Sequence, residues 1–307
     1  MKSLHLIKTS FGAGWALRQI RELSKLGIEV HVALPGNGPM VGQYTEAGAT
    51  EHFLQSDFPI RTPWTFPTLA GRFRKLVDQV QPDIIHSHFV GTTLTMRFAL
   101  GNRYAIPRVF QVPGPLHLEH LLFRISEIAS AGPTDYWIGS CQWTCERYRI
   151  AGVSPNRVFL SYYGGDLGQL SMGPQGKLRS ELGLMPNCKI IGMVSYIYAP
   201  KRHLGQTRGL KGHEDLIDAI KICLEVAPNI ICVMIGGAWD NATSYEKKVR
   251  AYAYERCGDR VIFLGNRNDV PDLYADMDVA VHPSHSENVG GAGESLALAV
   301  PTIATNV

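Results

Sequence analysis

The sequence predicts an α/β protein made of two parallel-sheet, Rossmann-like domains, and three observations carry that prediction. Short apolar runs alternate with helical stretches along the chain, the order that lays strands parallel and puts helices on both faces of a sheet. From Gly168 to Gly176 the composition turns to Gly, Gln, Ser and Pro, which marks a linker. Glycine-rich loops, Gly12-Ala-Gly14 and Gly290-Gly-Ala-Gly293, follow apolar runs and open helices. The 307 residues suffice for two domains of about 150 residues each. They are placed at residues 1–168 and 177–307, with a linker at 169–176.

In the first domain Leu4-His-Leu-Ile7 is a short strand and Gly12-Ala-Gly14 the loop after it. Trp15 to Leu26 sets Ala16, Ile20 and Leu23 on one helical face before Gly27 stops the helix. Ile28 to Leu34 alternates as a strand and ends at Pro35-Gly36. A dinucleotide fingerprint wants a small residue where Leu17 stands and an acid near Val32-Ala-Leu-Pro35. Both are missing, which argues against an oxidoreductase, although Gly12 and Gly14 still suit a diphosphate held by backbone N–H groups, or simply a tight turn. Asp83-Ile-Ile-His-Ser-His88 is the next strand and puts His86 and His88 on one face. No third ligand with sensible spacing is visible, so the two are expected to form a hydrogen-bonded core pair and not a metal site. Arg108 to Val112 is a strand followed by Pro113-Gly-Pro-Leu-His117-Leu-Glu-His120. Asp135 to Ser140 and Arg157 to Tyr163 complete the sheet around a helix from Gln142 to Ala151.

The second domain begins again with a strand, Lys189 to Val194, and a helix from Gly212 to Val226 that presents Leu216, Ile217, Ile220 and Leu224. Ile230 to Ile235 is a buried strand ending in Gly236-Gly237, and Val261 to Leu264 is another. Pro271 sits in the first turn of the next helix. Asp278 to Val281 is the strand that delivers the loop beginning at His282, and the helix after that loop is expected to start near Gly293.

Composition narrows the function. Hydrophobic residues are 45% and charged residues 19% of the chain, an ordinary globular balance. No run approaches the roughly 18 apolar residues of a spanning helix, and Met1-Lys-Ser-Leu-His-Leu-Ile-Lys8 reads as a strand and not a secretion signal. A cytoplasmic protein is expected. The net charge of +3 is too small to argue for nucleic acid. Residues 1–170 carry 16 Lys/Arg against 12 Asp/Glu, and residues 171–307 carry 14 against 15. Arg61, Arg72, Arg74 and Lys75 near Trp64 and Phe66 fit three readings, a peripheral contact with an anionic membrane, a contact with an anionic acceptor, or a solvated helix face. Six scattered cysteines lack zinc-site spacing and read as buried free thiols.

The chemistry concentrates at His282 to Pro301. Backbone N–H groups at Gly290, Gly291 and Ala292 are unobstructed by side chains, and the helix after them adds the positive end of its dipole, which suits an anionic ligand. Glu287 and Glu294 bracket them. Two carboxylates would repel phosphate alone, so they make better sense accepting hydrogen bonds from ribose or sugar hydroxyls beside a diphosphate. The alternative is a turn cap for Glu287 and a first-turn dipole partner for Glu294. The connection from Tyr196 to Lys211 is rich in cations and suits a diphosphate leaving group, or a solvated basic loop.

The segment Pro283-Ser-His-Ser-Glu-Asn-Val-Gly-Gly-Ala-Gly-Glu294 through Val300-Pro-Thr-Ile-Ala-Thr-Asn-Val307 resembles the signature of retaining glycosyltransferase family 4, whose members have the GT-B fold of two Rossmann-like domains facing a cleft. The resemblance implies that Glu287 contacts the donor sugar and Glu294 the nucleotide ribose. Six residues separate them, one fewer than the family's usual seven. Lys211-Gly212 is similar to the family's Lys-Gly at a helix start, where lysine and a nearby arginine neutralise the diphosphate. The family's arginine position holds Tyr196 here, and an insertion precedes Lys211, so Arg202 or Arg208 is expected to replace it. Pro82-Asp-Ile-Ile-His86 and Gly164-Gly-Asp166 resemble two further family elements. The family's histidine at the end of the Arg108 strand falls on Pro113, leaving His117 or His120 as its substitute. Gly12 and Gly14 would lie beside the donor phosphates. The resemblance implies a UDP- or GDP-sugar donor, no cofactor or metal, and a glycan or lipid-linked acceptor; with the basic cluster around Arg61 and Arg72, the expected place is the cytoplasm, at the inner face of the membrane under the membrane reading of that cluster. The chain stops at Val307 where family members continue, so the second domain is expected to be incomplete. An inactive or binding-only remnant and a sugar-nucleotide epimerase are the alternatives.

Overall fold

The computed structural model describes residues 1–307 apart from positions 113, 115, 166–170, 203–204 and 287–289. The chain divides into two compact units, Met1–Gly164 and Gly165–Val307. The expected linker begins among the undescribed positions just after this division.

The first unit runs β1 (Lys2–Leu6), α1 (Gly14–Lys25), β2 (Glu29–Leu34), α2 (Val41–Glu46), β3 (Ala49–Phe53), α3 (Phe66–Val80), β4 (Ile84–Ser87), α4 (Val90–Leu100), β5 (Arg108–Val112), α5 (Leu116–Glu119), α6 (Leu121–Ala129), β6 (Asp135–Gly139), α7 (Gln142–Ile150) and β7 (Val158–Leu160). Its strands form one parallel sheet in the order β3-β2-β1-β4-β5-β6-β7. One apolar layer joins Leu4, Leu6, Ile85, Phe73 and Met96. A second joins Val30, Val32, Ile20 and Tyr44. The alternation of side chains along parallel strands produces these two layers.

Beneath β5 and β6 the same unit buries an ion network. Asp135 accepts from Arg97 Nε at 3.1 Å and Arg108 at 2.9 Å, and Glu127 accepts from Arg97 at 2.9 Å and from Trp137 Nε1 at 2.7 Å. All four charged side chains are almost fully shielded from solvent. Such ions hold their charge in a core only because each is paired.

The second unit runs α8 (Lys177–Glu181), β8 (Lys189–Val194), α9 (His213–Val226), β9 (Ile230–Ile235), α10 (Thr243–Cys257), β10 (Val261–Gly265), α11 (Val270–Tyr274), β11 (Val279–His282), α12 (Gly290–Ala297) and β12 (Thr302–Ala304). Its sheet is also parallel, ordered β10-β9-β8-β11-β12. Every residue of β9 is buried, as its uninterrupted Ile-Ile-Cys-Val-Met-Ile requires of a strand covered on both faces. Among the described residues no helix is long and apolar enough to cross a membrane.

Candidate active site

In the second unit the chain lays β9 and β10 on one flank of β8 and then returns to place β11 and β12 on the other. Parallel sheets bind ligands beyond the strand C-terminal ends at this reversal, because the connections leaving the two strands there diverge and open a crevice. The connection carrying Lys211 leaves β8, and the glycine loop leaves β11.

Backbone contacts knit the two connections together. Gly212 has φ +71°, and a Cβ there would lie 2.0 Å from the carbonyl oxygen of Pro283. The backbone N–H of His285 donates to the Leu210 carbonyl at 2.8 Å. Lys211, partly buried, is thereby fixed against the start of the β11 loop. A Cβ on Gly291 would lie 3.0 Å from the His282 ring and 3.1 Å from the Val194 carbonyl oxygen, so the first turn of α12 is pressed onto the ends of both β11 and β8. His282 Nε2 lies 3.2 Å from Ser295 Oγ, which donates to the Ala292 carbonyl at 3.1 Å.

The helix start differs from the expectation. α12 begins at Gly290 and not near Gly293, because the close approach at Gly291 favours a residue without a side chain and outweighs the low helix propensity of glycine. Gly290, Gly291 and Ala292 therefore present first-turn N–H groups, which have no partner within a helix. Glu294 falls in the second turn and is exposed to solvent, which removes the reading of Glu294 as a first-turn dipole partner. Its charge helps raise the titration of the Tyr274 hydroxyl, behind the larger effect of burial. Glu287 lies outside the described residues.

Arg208 is already engaged. Its guanidinium donates to Asp215 at 2.6 Å and Asp218 at 2.8 Å, and these hydrogen bonds, that to Asp218 foremost, hold it more firmly protonated. Asp215 also meets His285 Nε2 at 2.8 Å. A diphosphate reaching Arg208 would compete with two carboxylates, whereas Arg202 is exposed.

The same sheet end holds groups that residue spacing did not single out. Gly236 has φ +122°, and a Cβ there would lie 2.2 Å from the Ser195 carbonyl oxygen. The Gly237 N–H donates to Asn266 Oδ1 at 2.8 Å. Trp239 packs against Tyr196 at 4.9 Å and Tyr198 at 5.9 Å between ring centroids. The signal for them was Gly236-Gly237 directly after an apolar strand.

In the first unit the corresponding reversal lies between β1 and β4. Gly12-Ala-Gly14 leaves β1 and opens α1, with Ala13 in the left-handed region at φ 68°. His117 is buried, 3.2 Å from the Tyr148 hydroxyl and edge-on to Phe110. Burial pushes its titration down to about 3, so at neutral pH it is uncharged. An imidazole in place of the one expected at Pro113 would therefore act here in its neutral form. Pro113 lies outside the described residues.

The expected His86–His88 pair is in fact a trio. Parallel register sets His5 of β1 beside His86 of β4, and His5 Nδ1 lies 3.0 Å from His88 Nε2. The rings of His86 and His88 stack at 4.1 Å. Burial keeps all three uncharged, with His86 pushed down to about 4. The sequence reading lacked the third imidazole because it lies on a different strand.

Acid sensitivity follows from the buried histidines, among them His117 in the first unit, beside His5, His86 and His88, and His213 in the second. Burial lowers His117 to about 3 and His213 to about 4, whereas the unfolded chain protonates near pH 6.5. The unfolded state therefore binds more protons below that pH, and stability present above it is lost as pH falls toward 4. Each group is expected to contribute about 1.4 kcal/mol per pH unit across that window. Urea unfolding at pH 7, 6 and 5 measures the loss, and His213→Phe is expected to flatten the slope of the second unit.

The family model described as Glycosyltransferase Family 4 matches residues 15–169, and that of glycosyl transferases group 1 matches residues 203–307. The lipopolysaccharide core biosynthesis mannosyltransferase LpsB of Rhizobium meliloti is 28% identical over 42% of this chain and 34% of its own length. D-inositol 3-phosphate glycosyltransferase 2 of Catenulispora acidiphila is 25% identical over 94% of this chain and 72% of its own. Anabaena Alr3699/HepE, crystallised with UDP, superposes with a TM-score of 0.79 at 21% identity, over 100% of this chain and 81% of that one. Two parallel-sheet α/β units with this strand order give the GT-B fold, and with the first family model covering half the sequence, the chain belongs to glycosyltransferase family 4.

Proposed function

We propose that the chain is a cytoplasmic retaining glycosyltransferase that moves a sugar from a UDP- or GDP-sugar to a hydroxyl of a glycan or lipid-linked glycan. The observation that carries the proposal is the meeting of the Lys211-Gly212 turn with the β11 loop, and of Gly291 with β8, at the strand reversal. In this reading the first-turn N–H groups of Gly290, Gly291 and Ala292 hold the diphosphate, as helix N-termini do. Lys211 stabilises the charge that develops on the departing nucleoside diphosphate. Glu294, facing solvent one turn on, accepts from the ribose hydroxyls, and Glu287 from the donor sugar. Arg208 anchors the Lys211 loop through Asp215 and Asp218. Gly12 and Gly14 of the first unit are read as backbone donors to the donor phosphates, and neutral His117 as the imidazole that orients the acceptor hydroxyl. The chemistry is charge stabilisation by fixed N–H groups and a lysine, a role that needs no metal at the donor.

UDP is the ligand of the HepE crystal, which supports a uridine donor. The exposed Ile60 and Trp64 beside Arg61 and Arg72 support a peripheral contact with an anionic membrane surface, where a lipid-linked acceptor would be found. Calorimetric titration with UDP- and GDP-sugars tests the donor reading. At least one is expected to bind, with Lys211→Met and Glu294→Gln each weakening it about 10- to 100-fold, the worth of a charged hydrogen bond. Absence of binding by every nucleotide sugar, or unchanged affinity in both variants, would overturn it.

A further inference from the structure

Three imidazoles meet inside the first unit where its strand order reverses. His5 comes from β1, His86 from β4 and His88 from the residue following the end of β4. One ring nitrogen from each lies within 4.8 Å of the others, and all three residues are buried. The cluster leaves polar atoms unanswered: among the described residues His5 Nε2, His86 Nε2 and His88 Nδ1 have no hydrogen-bond partner. Three unpartnered ring nitrogens in one core are a cost, since buried polar groups otherwise find partners. Trp15 covers His88 at 5.3 Å between ring centroids, and the side-chain amide of Gln111 is a polar neighbour of His86. A polar neighbour of that kind is what orients a metal-ligating imidazole through its second nitrogen.

We propose that His5, His86 and His88 form a binding site for a divalent d-block ion of the zinc class, which ties β1 to the end of β4. Three imidazoles are a ligand set that such ions favour over calcium or magnesium, whose preferred ligands are oxygens. An ion held at roughly 2.0–2.1 Å from each ligating nitrogen requires the rings to close inward by about 1 Å and replaces the proton shared by His5 Nδ1 and His88 Nε2, while His5 Nε2 and His88 Nδ1, on the far edges of the two rings, stay without a partner among the described residues. Among the described residues no fourth protein ligand joins the set, so a water completes the coordination. The ion is a structural clasp within one unit, separate from the donor chemistry of the other. The inference does not rest on the proposed function.

The test uses the full chain, stripped with a chelator and reloaded with Zn²⁺ or Co²⁺. One equivalent of zinc per chain, a rise in the thermal midpoint, and a Co²⁺ visible spectrum of four-coordinate character are expected. His5→Phe and His88→Phe keep an aromatic ring in the core and are expected to lose the Co²⁺ spectrum. If a variant fails to fold, zinc-edge absorption of the loaded wild-type protein decides, with three imidazoles expected around the ion. No metal uptake by the wild-type protein, uptake undiminished in folded variants, or an absorption fit without histidine overturns the proposal.

Discussion

Gly212→Ala is expected to destabilise the second unit by about 2–5 kcal/mol and to abolish nucleotide-sugar binding, while leaving the first unit as stable as before. Two costs add. A side chain at φ +71° sits in the left-handed region, about 1–2 kcal/mol unfavourable for an L-residue. The new methyl would also lie 2.0 Å from the Pro283 carbonyl oxygen, a backbone atom that cannot rotate away, and overpacking of that kind costs about 1–3 kcal/mol. The only relief is to part the Lys211 turn from the β11 loop, which separates the proposed phosphate ligands. Urea unfolding and calorimetry measure the two effects. Gly71→Ala in α3, where an added Cβ meets nothing within 4 Å, is the control, and there a gain of about 0.5–1 kcal/mol is expected. Equal behaviour of the two variants would mean that the Gly212–Pro283 approach has no energetic consequence.

Asp135→Asn is expected to cost the first unit about 3–5 kcal/mol, the penalty for breaking a buried ion pair while leaving its partners charged. Asp135 serves Arg97, Arg108 and the Gly132 N–H at 2.6 Å, and Glu127 alone cannot balance two guanidinium groups. Trp137 lies 5.2 Å from the Arg97 guanidinium, so its fluorescence follows the loss. Adding Arg108→Met removes one of the stranded charges and is expected to recover a substantial part of the stability. A double variant no better than Asp135→Asn would place the cost in shape and not in charge.

Strands whose residues are apolar throughout or nearly so, such as β8 and β9, could be read from the sequence with their ends in place. β3 could not, because Ala49-Thr-Glu-His-Phe53 lies at a sheet edge, where polar residues are tolerated and periodicity fades. α4 hides behind Thr92, Thr93 and Thr95, which disfavour helix on their own. Their hydroxyls are buried in the structure, those of Thr92 and Thr93 hydrogen-bonded to the Phe89 carbonyl. α12 starts earlier than its composition suggests because Gly291 answers to a neighbour and not to propensity. The proposed donor residues were legible as a motif, but their meeting was not. Only tertiary structure brings Gly212 to Pro283, or His5 to a pair of histidines 81 and 83 positions further along the chain.

In both units the strand translated first ends up in the interior of its sheet, flanked on either side by strands made later. A growing polypeptide can thus use β1 or β8 as a seed, extend to one side at once, and dock the remaining segments on the opposite side as they emerge from the ribosome. No established pairing has to reopen for a late arrival, so the vectorial order of synthesis and the order of assembly coincide.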